Sequence, residues 1–257
     1  MNIIYVGFLA SLAAGLMTGV GAMPILAGRT MSRRANDALL GFAAGVMLSA
    51  SFFSLILPGI DEAEAQHGNT VAAAFIAAGG VVLGVIAIAA LNEALPHEHF
   101  VTGREGRESA ALARIWLFIL AITIHNFPEG LAVGVGFGSG DVAQGIPLAT
   151  GIGLQNAPEG LAVAVALRGQ GYGRWHAFLI AAATGLVEPV GGALGVAALQ
   201  VSELLLPWGL TFAAGAMLYI ISHEIIPETH KHGHQNWATT GLTAGLILMM
   251  ILDVTLG

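Results

Sequence analysis

The chain has 257 residues, of which 56% are hydrophobic and 10% are charged, and its formal net charge is −7. Soluble proteins carry about 25% charged residues, so the composition excludes a soluble domain and predicts an all-α membrane protein with one domain over residues 1–257. Cysteine is absent, which excludes disulfides and thiolate metal sites. The nine Lys and Arg residues form no basic patch, which argues against nucleic acid as a partner.

Eight apolar stretches follow one another along the chain, each long enough to cross a lipid bilayer as a helix. Crossing the hydrocarbon core of about 30 Å takes about 20 helical residues. Glycines four residues apart, such as Gly41/Gly45 and Gly241/Gly245, let such helices approach closely and predict a compact bundle. The eight stretches cover residues 3–27, 38–60, 70–92, 115–138, 144–167, 176–200, 207–228 and 237–256.

The connections between these stretches predict the orientation, because Lys and Arg near helix ends stay on the cytoplasmic side. Every basic residue follows an odd-numbered stretch, which places both termini outside. The connection after the second stretch is acidic and is predicted to be an outer loop that attracts cations or is simply solvated. The basic residues are Arg29, Arg33, Arg34, Arg104, Arg107, Arg114, Arg168, Arg174 and Lys231, and the acidic ones are Asp61, Glu62 and Glu64.

One polar phrase occurs twice, in the fourth and fifth stretches. Side chains three and four positions apart share a helix face, so each copy gathers a carboxylate and its polar neighbours. The two stretches are antiparallel because the connection near 139–143 is short, and a rise of about 1.5 Å per residue places both carboxylates near the bilayer midplane. The first copy, HNFPEG, contains His125, Asn126, Pro128 and Glu129, and the second, QNAPEG, contains Gln155, Asn156, Pro158 and Glu159.

A proline beside each carboxylate removes a backbone donor and is predicted to kink the helix. Interrupted helices at matched midplane positions are typical of transporter binding sites. Glu188, next to Pro189 in the sixth stretch, repeats the arrangement, although this residue could alternatively pair with a neighbour or remain protonated.

The three buried carboxylates have no intramembrane Lys or Arg to neutralise them, and a bound divalent cation solves this problem. Oxygen ligands with one imidazole suit Zn²⁺, and Cd²⁺, Fe²⁺ or Mn²⁺ would also fit.

At these residues the sequence resembles the ZIP family of divalent-metal transporters, especially its bacterial GufA-like branch. HNFPEG and QNAPEG resemble the paired metal-binding motifs, Glu188-Pro189 the third contributor, and SHEIIPETH the seventh helix of that branch. The resemblance covers essentially the whole chain. It implies a 3+2+3 arrangement of eight helices, with outer triplets related by inverted pseudo-symmetry and the metal between the fourth and fifth helices.

The resemblance also implies which residues bind metal. One site would contain His125, Glu129, Gln155, Glu159 and Glu188. An adjacent second site would contain Asn126 and Asn156 and share the three glutamates. Some family members have Asp at the position of Asn156, so the second site has one negative charge less in this chain.

Further positions match the transport path of the family. Alternatives are packing for Met47, snorkelling for Asp253 and plain solvation for the loop histidines. The outer mouth would contain Met47, Ser54, Asp61 and Asp253, and the cytoplasmic release path would contain Glu93, His97, His99, His223, Glu224 and His230.

We interpret the chain as a transporter, not an enzyme, that moves divalent metal into the cytoplasm across the bacterial inner membrane by alternating access and needs no cofactor. The inward direction rests on the resemblance. The oligomeric state is open, with a homodimer as one option. One alternative is an intramembrane metal-dependent hydrolase, but HEIIPETH has Pro227 where such a helix needs its second His. Another is a proton relay, for which metal would affect neither stability nor flux.

Overall fold

Eight long helices in succession form the structure, a computed structural model that describes residues 3–28, 31–94, 97–99, 103–105, 114–138, 140, 142–169, 171–231 and 233–256. Arg29 and Arg107, used above for orientation, lie outside the described residues. The helices are α1 (Ile3–Ile25), α2 (Arg33–His67), α3 (Thr70–Ala94), α4 (Arg114–Gly138), α5 (Val142–Gly169), α6 (Arg174–Val201), α7 (Leu206–His230) and α8 (Gln235–Leu256).

Four of these helices contain irregular turns. Both π-helical turns, in α2 and α7, end two residues before a proline, and such turns are frequent at functional sites. The segments are Ile3–Ala22 and a 3-10 turn Met23–Ile25 in α1; Arg33–Ala50, a π turn Ser51–Ile56 and Leu57–His67 in α2; Arg174–Thr184, a 3-10 turn Gly185–Val187 and Glu188–Val201 in α6; and Leu206–Ile220, a π turn Ile221–Ile225 and Ile226–His230 in α7.

A short hairpin between α3 and α4 is the only strand pairing among the described residues, and a 3-10 turn Glu203–Leu205 precedes α7. Its strands are β1 (His97–His99) and β2 (Gly103–Glu105), which pair antiparallel with Glu98 opposite Arg104. β1 lies against α4. The prediction of an all-α chain therefore holds for the architecture as a whole.

The acidic segment after the second apolar stretch is helical, so its prediction as a loop was wrong. α2 continues through Asp61 to His67, about two turns beyond the predicted end. It ends where Gly68 adopts a left-handed backbone conformation with φ 62° and donates its N–H to the carbonyl of Glu64 at 2.7 Å. Glycine adopts this conformation without a steric penalty and commonly ends helices.

The helices are those of an integral membrane protein. Six of them, all except α4 and α5, are long and apolar enough to span a bilayer in the described part of the chain. α4 and α5 carry the two polar phrases and also have membrane-spanning length, with 25 and 28 residues. Large apolar side chains point outward at the periphery, as Phe75 does with 75% of its surface exposed.

The prolines of the polar phrases do not interrupt their helices. α4 is continuous through Pro128, and α5 is continuous through both Pro147 and Pro158. Each proline removes a single backbone donor, and the helical assignment on both sides of it is retained. An interruption does occur in α6, where a 3-10 turn precedes Glu188 and Pro189 lies in the first turn of the restarted helix.

Glycines set the closest helix contacts. α1 packs against α4, α5 and α6, α4 packs against α6, α2 packs against α8, and α3 packs against α7. A methyl group added at Gly241 would overlap the carbonyl of Ala38, and one added at Gly130 would overlap the backbone of Glu188. The small residues therefore bring backbones into direct contact, as the four-residue spacing predicts.

We expect Gly160→Ala in α5 to lower the free energy of unfolding by about 1–3 kcal/mol, the usual penalty of overpacking. A methyl group at this position would overlap the carbonyl of Thr18 in α1, and a backbone atom cannot turn away. Thermal unfolding of the purified protein in detergent measures the effect.

Gly153→Ala is the matched control, because Gly153 faces α1 from the same helix with room to spare. The nearest atom to an added methyl group is Met17 Cγ at 3.5 Å. This variant should unfold at or slightly above the wild-type temperature, since alanine favours helix. Equal melting temperatures for the two variants would contradict the packing assignment.

Candidate metal centre

The two copies of the polar phrase face each other from antiparallel helices and are buried. Glu129 on α4 and Gln155 on α5 have no exposed surface, and 5% of Glu159 is exposed. Gln155 Nε2 donates a hydrogen bond to Glu129 Oε1 at 2.8 Å, which ties the two helices together at the level of the phrases. The sequence-based prediction that the phrases converge agrees with this contact.

Glu188 joins the same cluster from α6. Its side chain is fully buried, and its Oε1 accepts a hydrogen bond from Asn156 Nδ2 at 2.8 Å. Small residues make room for it, since an added methyl group at Gly130 would overlap the backbone of Glu188 and one at Gly15 would lie 3.3 Å from its Oε1. The third predicted carboxylate therefore lies next to the repeated motif.

α1 supplies a backbone group to this cluster. Asn156 Nδ2 also donates to the carbonyl oxygen of Ala14 at 2.9 Å. Neither the apolar sequence of α1 nor its spacing of glycines indicated a contribution of this kind.

Oxygen atoms without hydrogen-bond partners accumulate in the cluster. A buried polar atom left without a partner costs about 1–3 kcal/mol, and so many together call for an explanation such as an ion. Carboxylate and amide oxygens are suitable ligands for divalent cations. The unpartnered oxygens are Asn126 Oδ1, Glu129 Oε2, Gln155 Oε1, Asn156 Oδ1, Glu159 Oε1 and Glu188 Oε2, and Asn126 Nδ2 also lacks a partner.

The electrostatics of the cluster also favour a cation. Glu129 lies within electrostatic range of both Glu159 and Glu188, whose charges would repel its own. In the hydrogen bonds described above, the donors to Glu129 and Glu188 are uncharged side-chain amides. A divalent ion would neutralise this charge where an amide cannot.

His125 points to a different partner. Its Nε2 contacts a carboxylate oxygen of Glu224, which lies in the π-helical turn of α7. Glu224 is buried, with 7% of its surface exposed. The resemblance places Glu224 on the release path, and the structure brings it into direct contact with a residue of the predicted metal site.

The described residues do not form a ready-made cage of charged ligands. No three His, Asp or Glu side chains among them surround one point as metal ligands would. Amide groups separate the carboxylates, and His125 is turned to Glu224. A metal bound here would therefore use amide oxygens or require His125 to leave Glu224.

The residues predicted for the outer mouth fall into three environments. Ser54, in the π-helical turn of α2, donates a hydrogen bond to Asp253 Oδ1 on α8 at 2.6 Å. Asp61 is exposed on the helical extension of α2. Met47 has no exposed surface and belongs to the apolar core, which agrees with the packing alternative.

The residues predicted for the release path lie near the ends of α3 and α7. Glu93 is exposed, His223 stacks on Tyr219 with a centroid distance of 4.9 Å, and His230 Nδ1 lies 2.9 Å from the carbonyl oxygen of Ile226. His97 and His99 are placed only by the backbone of β1. Glu224, also predicted for this path, contacts the central cluster directly through His125.

One buried polar pair had no signal in the sequence analysis. His234 Nδ1 lies 2.8 Å from Asp37 Oδ2, and Asp37 is 1% exposed. The pair joins the N-terminal part of α2 to the residue that precedes α8, and the two residues are 197 positions apart in the chain. Only the packing of α2 on α8 could reveal it.

Comparison with known proteins gives a consistent result. Residues 93–253 match the family model described as ZIP Zinc transporter. The chain is 47% identical over 251 residues to the zinc transporter GufA of Myxococcus xanthus, with 98% of this chain and 99% of that protein covered. It is 49% identical over 258 residues to the zinc transporter ZIPB of Bordetella bronchiseptica, covering 100% of this chain and 84% of that protein. The human zinc transporter ZIP11 is 34% identical, with 94% of each chain covered.

We expect Glu129→Gln to raise the stability of the metal-free protein by more than the roughly 0.5 kcal/mol typical of surface substitutions. The change removes a buried carboxyl group whose ionised form would be repelled by Glu159 and Glu188, keeps the shape of the side chain, and leaves a carbonyl oxygen that can still accept from Gln155. Thermal unfolding in the presence of a chelator measures this effect.

Glu64→Gln is the control for that measurement, because Glu64 is exposed at the end of α2 and its hydrogen bond is to Thr70. Its melting temperature should equal that of the wild type. If Glu129→Gln is instead less stable than the wild type without metal, the carboxylates do not destabilise one another.

Proposed function

Because the chain belongs to the ZIP zinc transporter family, we propose that it carries Zn²⁺ into the cytoplasm through a site between α4 and α5. The observation that supports this most directly is the cluster of unpartnered, buried oxygens on Asn126, Glu129, Gln155, Asn156, Glu159 and Glu188. These atoms need a positive partner, and the relatives with 47% and 49% identity are named zinc transporters.

The family membership confirms two predictions made from the sequence. The resemblance to ZIP proteins is correct. The chain is a transporter of divalent metal and not an enzyme, so the hydrolase alternative is set aside. The proposal requires no cofactor, and Cd²⁺, Fe²⁺ and Mn²⁺ are further candidate substrates because they accept the same oxygen and imidazole ligands.

The first metal site in this proposal consists of His125, Glu129, Gln155, Glu159 and Glu188. Glu129 and Glu188 each keep one oxygen free while an amide holds the other. Glu159 and Gln155 offer further oxygens, and His125 completes the set when it turns away from Glu224. The second site uses Asn126 and Asn156 and shares the three glutamates.

The contact between His125 and Glu224 suggests how the ion leaves. Metal at the first site and Glu224 compete for the same imidazole nitrogen. When His125 returns to Glu224, the ion loses a ligand and the remaining carboxylates hold it less tightly. From there the proposed release path passes Glu93, His97, His99, His223 and His230.

The outer approach in this proposal runs past Asp61 and the Ser54–Asp253 pair. Carboxylates near the mouth raise the local concentration of cations. Met47 is fully buried, so we assign it to the wall of the path and not to its opening.

Alternating access is proposed to move one group of helices against another. Glycines bring the backbones of α1, α4, α5 and α6 together, whereas the atoms nearest to a methyl group added at Gly151 on α5 are side-chain atoms of Met249 on α8 and Val46 on α2. Helices that touch through side chains can slide past each other more readily than helices whose backbones are in direct contact. This grouping is compatible with the 3+2+3 arrangement, inverted pseudo-symmetry and outside termini that the family resemblance implies.

The proposed location is the bacterial inner membrane, with the lipid bilayer around exposed apolar side chains such as Phe75 and Val254. A homodimer is compatible with this position.

We expect Glu129→Ala, and separately Glu159→Ala, to abolish uptake of Zn²⁺ into proteoliposomes, because each change removes a central carboxylate ligand. Both proteins should still be extracted in a folded form, since each loses an unneutralised buried charge. Uptake of radioactive zinc into vesicles with a controlled inside volume is the measurement.

Ser11→Ala serves as the control for these variants. Ser11 is buried on α1, and its hydroxyl donates only to the backbone of its own helix, at Gly7 and Phe8. Its uptake should match that of the wild type. Wild-type flux in either glutamate variant would refute the proposed site.

We expect Asn156→Asp to increase the number of tightly bound ions from one toward two. The change adds a negative charge beside Glu188 and removes the amide that now bonds it, so a second cation becomes the better partner. Metal analysis after equilibrium dialysis gives the stoichiometry, and an unchanged value would count against a second site.

A further inference from the structure

The amide group of Asn156 is fixed at both of its N–H bonds. Nδ2 donates to the carbonyl oxygen of Ala14 at 2.9 Å and to Glu188 Oε1 at 2.8 Å. A side-chain amide has two such donors, so neither remains for another partner. Asn156 is fully buried, and rotation of its amide would break both bonds.

This arrangement commits one oxygen of Glu188 and leaves the other available. Oε1 accepts from Asn156, whereas Oε2 has no hydrogen-bond partner. Gly15 of α1 lies close to this carboxylate, since a methyl group added at Gly15 would be 3.3 Å from Glu188 Oε1. The carboxylate is therefore restrained from the side of α1 and presents a single oxygen to the cluster.

Gln155, the neighbour of Asn156 on α5, makes a similar hydrogen bond to Glu129. Gln155 Nε2 donates to Glu129 Oε1 at 2.8 Å, and Glu129 Oε2 has no partner. The restraint on Glu129 is weaker, because the Ala14 carbonyl anchors the amide of Asn156, whereas no backbone carbonyl anchors that of Gln155 in the contacts above. The amide of Asn156 is therefore more firmly held than that of Gln155.

The number of oxygens that a carboxylate presents affects which ion it binds best. Zn²⁺ prefers about four ligands, with one oxygen from each carboxylate. A larger ion such as Cd²⁺ takes more ligands and gains when a carboxylate binds through both oxygens. Hydrogen bonds to a ligating group orient it and commonly change metal affinity by about 10–100-fold.

We propose that Asn156, anchored to the Ala14 carbonyl, is a positioning residue that holds Glu188 to one-oxygen coordination and so favours Zn²⁺ over the larger Cd²⁺. This inference rests on the proposed transport function and deepens it by assigning selectivity. It concerns the N–H groups of Asn156 and leaves its Oδ1 available to a second ion.

The test is Asn156→Leu, which keeps the shape of the side chain but has no donor. Competitive uptake of Zn²⁺ and Cd²⁺ into proteoliposomes gives the ratio of kcat/KM for the two ions. We expect the preference for Zn²⁺ to fall by about tenfold, the lower end of the range for such hydrogen bonds. X-ray absorption of the Cd²⁺-loaded variant should show more oxygen neighbours around the ion than in the wild type.

Ser11→Ala is again the matched control, because Ser11 is a buried polar residue on α1 one turn before Ala14. It should keep the wild-type ratio. If Asn156→Leu is not recovered as a folded protein, the smaller Asn156→Ser tests the same loss of the amide.

Two results would overturn the inference. One is a folded Asn156 variant in which the ratio of kcat/KM for Zn²⁺ and Cd²⁺ is unchanged. The other is an equal loss of uptake for both ions with the same number of oxygen neighbours around Cd²⁺, which is the result expected of a purely structural residue. Failure of the transport proposal is recognised separately, since the wild-type protein would then take up neither ion.

Discussion

Burial of acidic side chains without a basic partner is the constraint on which this structure depends. Glu129, Glu159 and Glu188 lie together with at most 5% of any of them exposed. Acidic groups removed from water are tolerated when they are paired, hydrogen-bonded, bound to a metal or neutralised by a proton. Gln155 and Asn156 supply hydrogen bonds to two of the three carboxylates, but these amides carry no charge. The cluster thus keeps its attraction for a positive ion.

The packing of the helices and the chemistry of the cluster depend on the same small residues. Gly130 lets α4 contact the backbone of Glu188, and Gly15 lets α1 approach the side chain of that residue. Close approach of α1 also brings the Ala14 carbonyl within 2.9 Å of Asn156. In lipid, small residues promote association because helices have no hydrophobic reason to pack. In this chain the same contacts also position the polar groups.

The sequence predicted those features that depend on local pattern. Hydropathy located all eight helices, and the repeated phrase identified residues that the structure brings together, such as Glu129 and Gln155. Features that depend on distant partners were missed, including the Asp37–His234 pair and the contact of His125 with Glu224 in the π-helical turn of α7. The helical extension through Asp61 was missed for another reason. Charge suggested a loop, whereas a helix needs only a terminating residue, here Gly68.

Neutral amides, and not Lys or Arg, hydrogen-bond the carboxylates of this cluster. Such an arrangement suits a transporter, which must release its ion, better than a permanent binding site. A fixed basic side chain would pair with the glutamates and leave little attraction for a passing ion. An amide holds one oxygen of a carboxylate in place, yet its hydrogen bond is too weak to replace a divalent charge. In the proposed mechanism the ion binds strongly enough to enter, and His125 returns to Glu224 when the ion leaves. Selective binding and release can therefore coexist in one buried cluster, because orientation comes from neutral groups and neutralisation comes from the cargo.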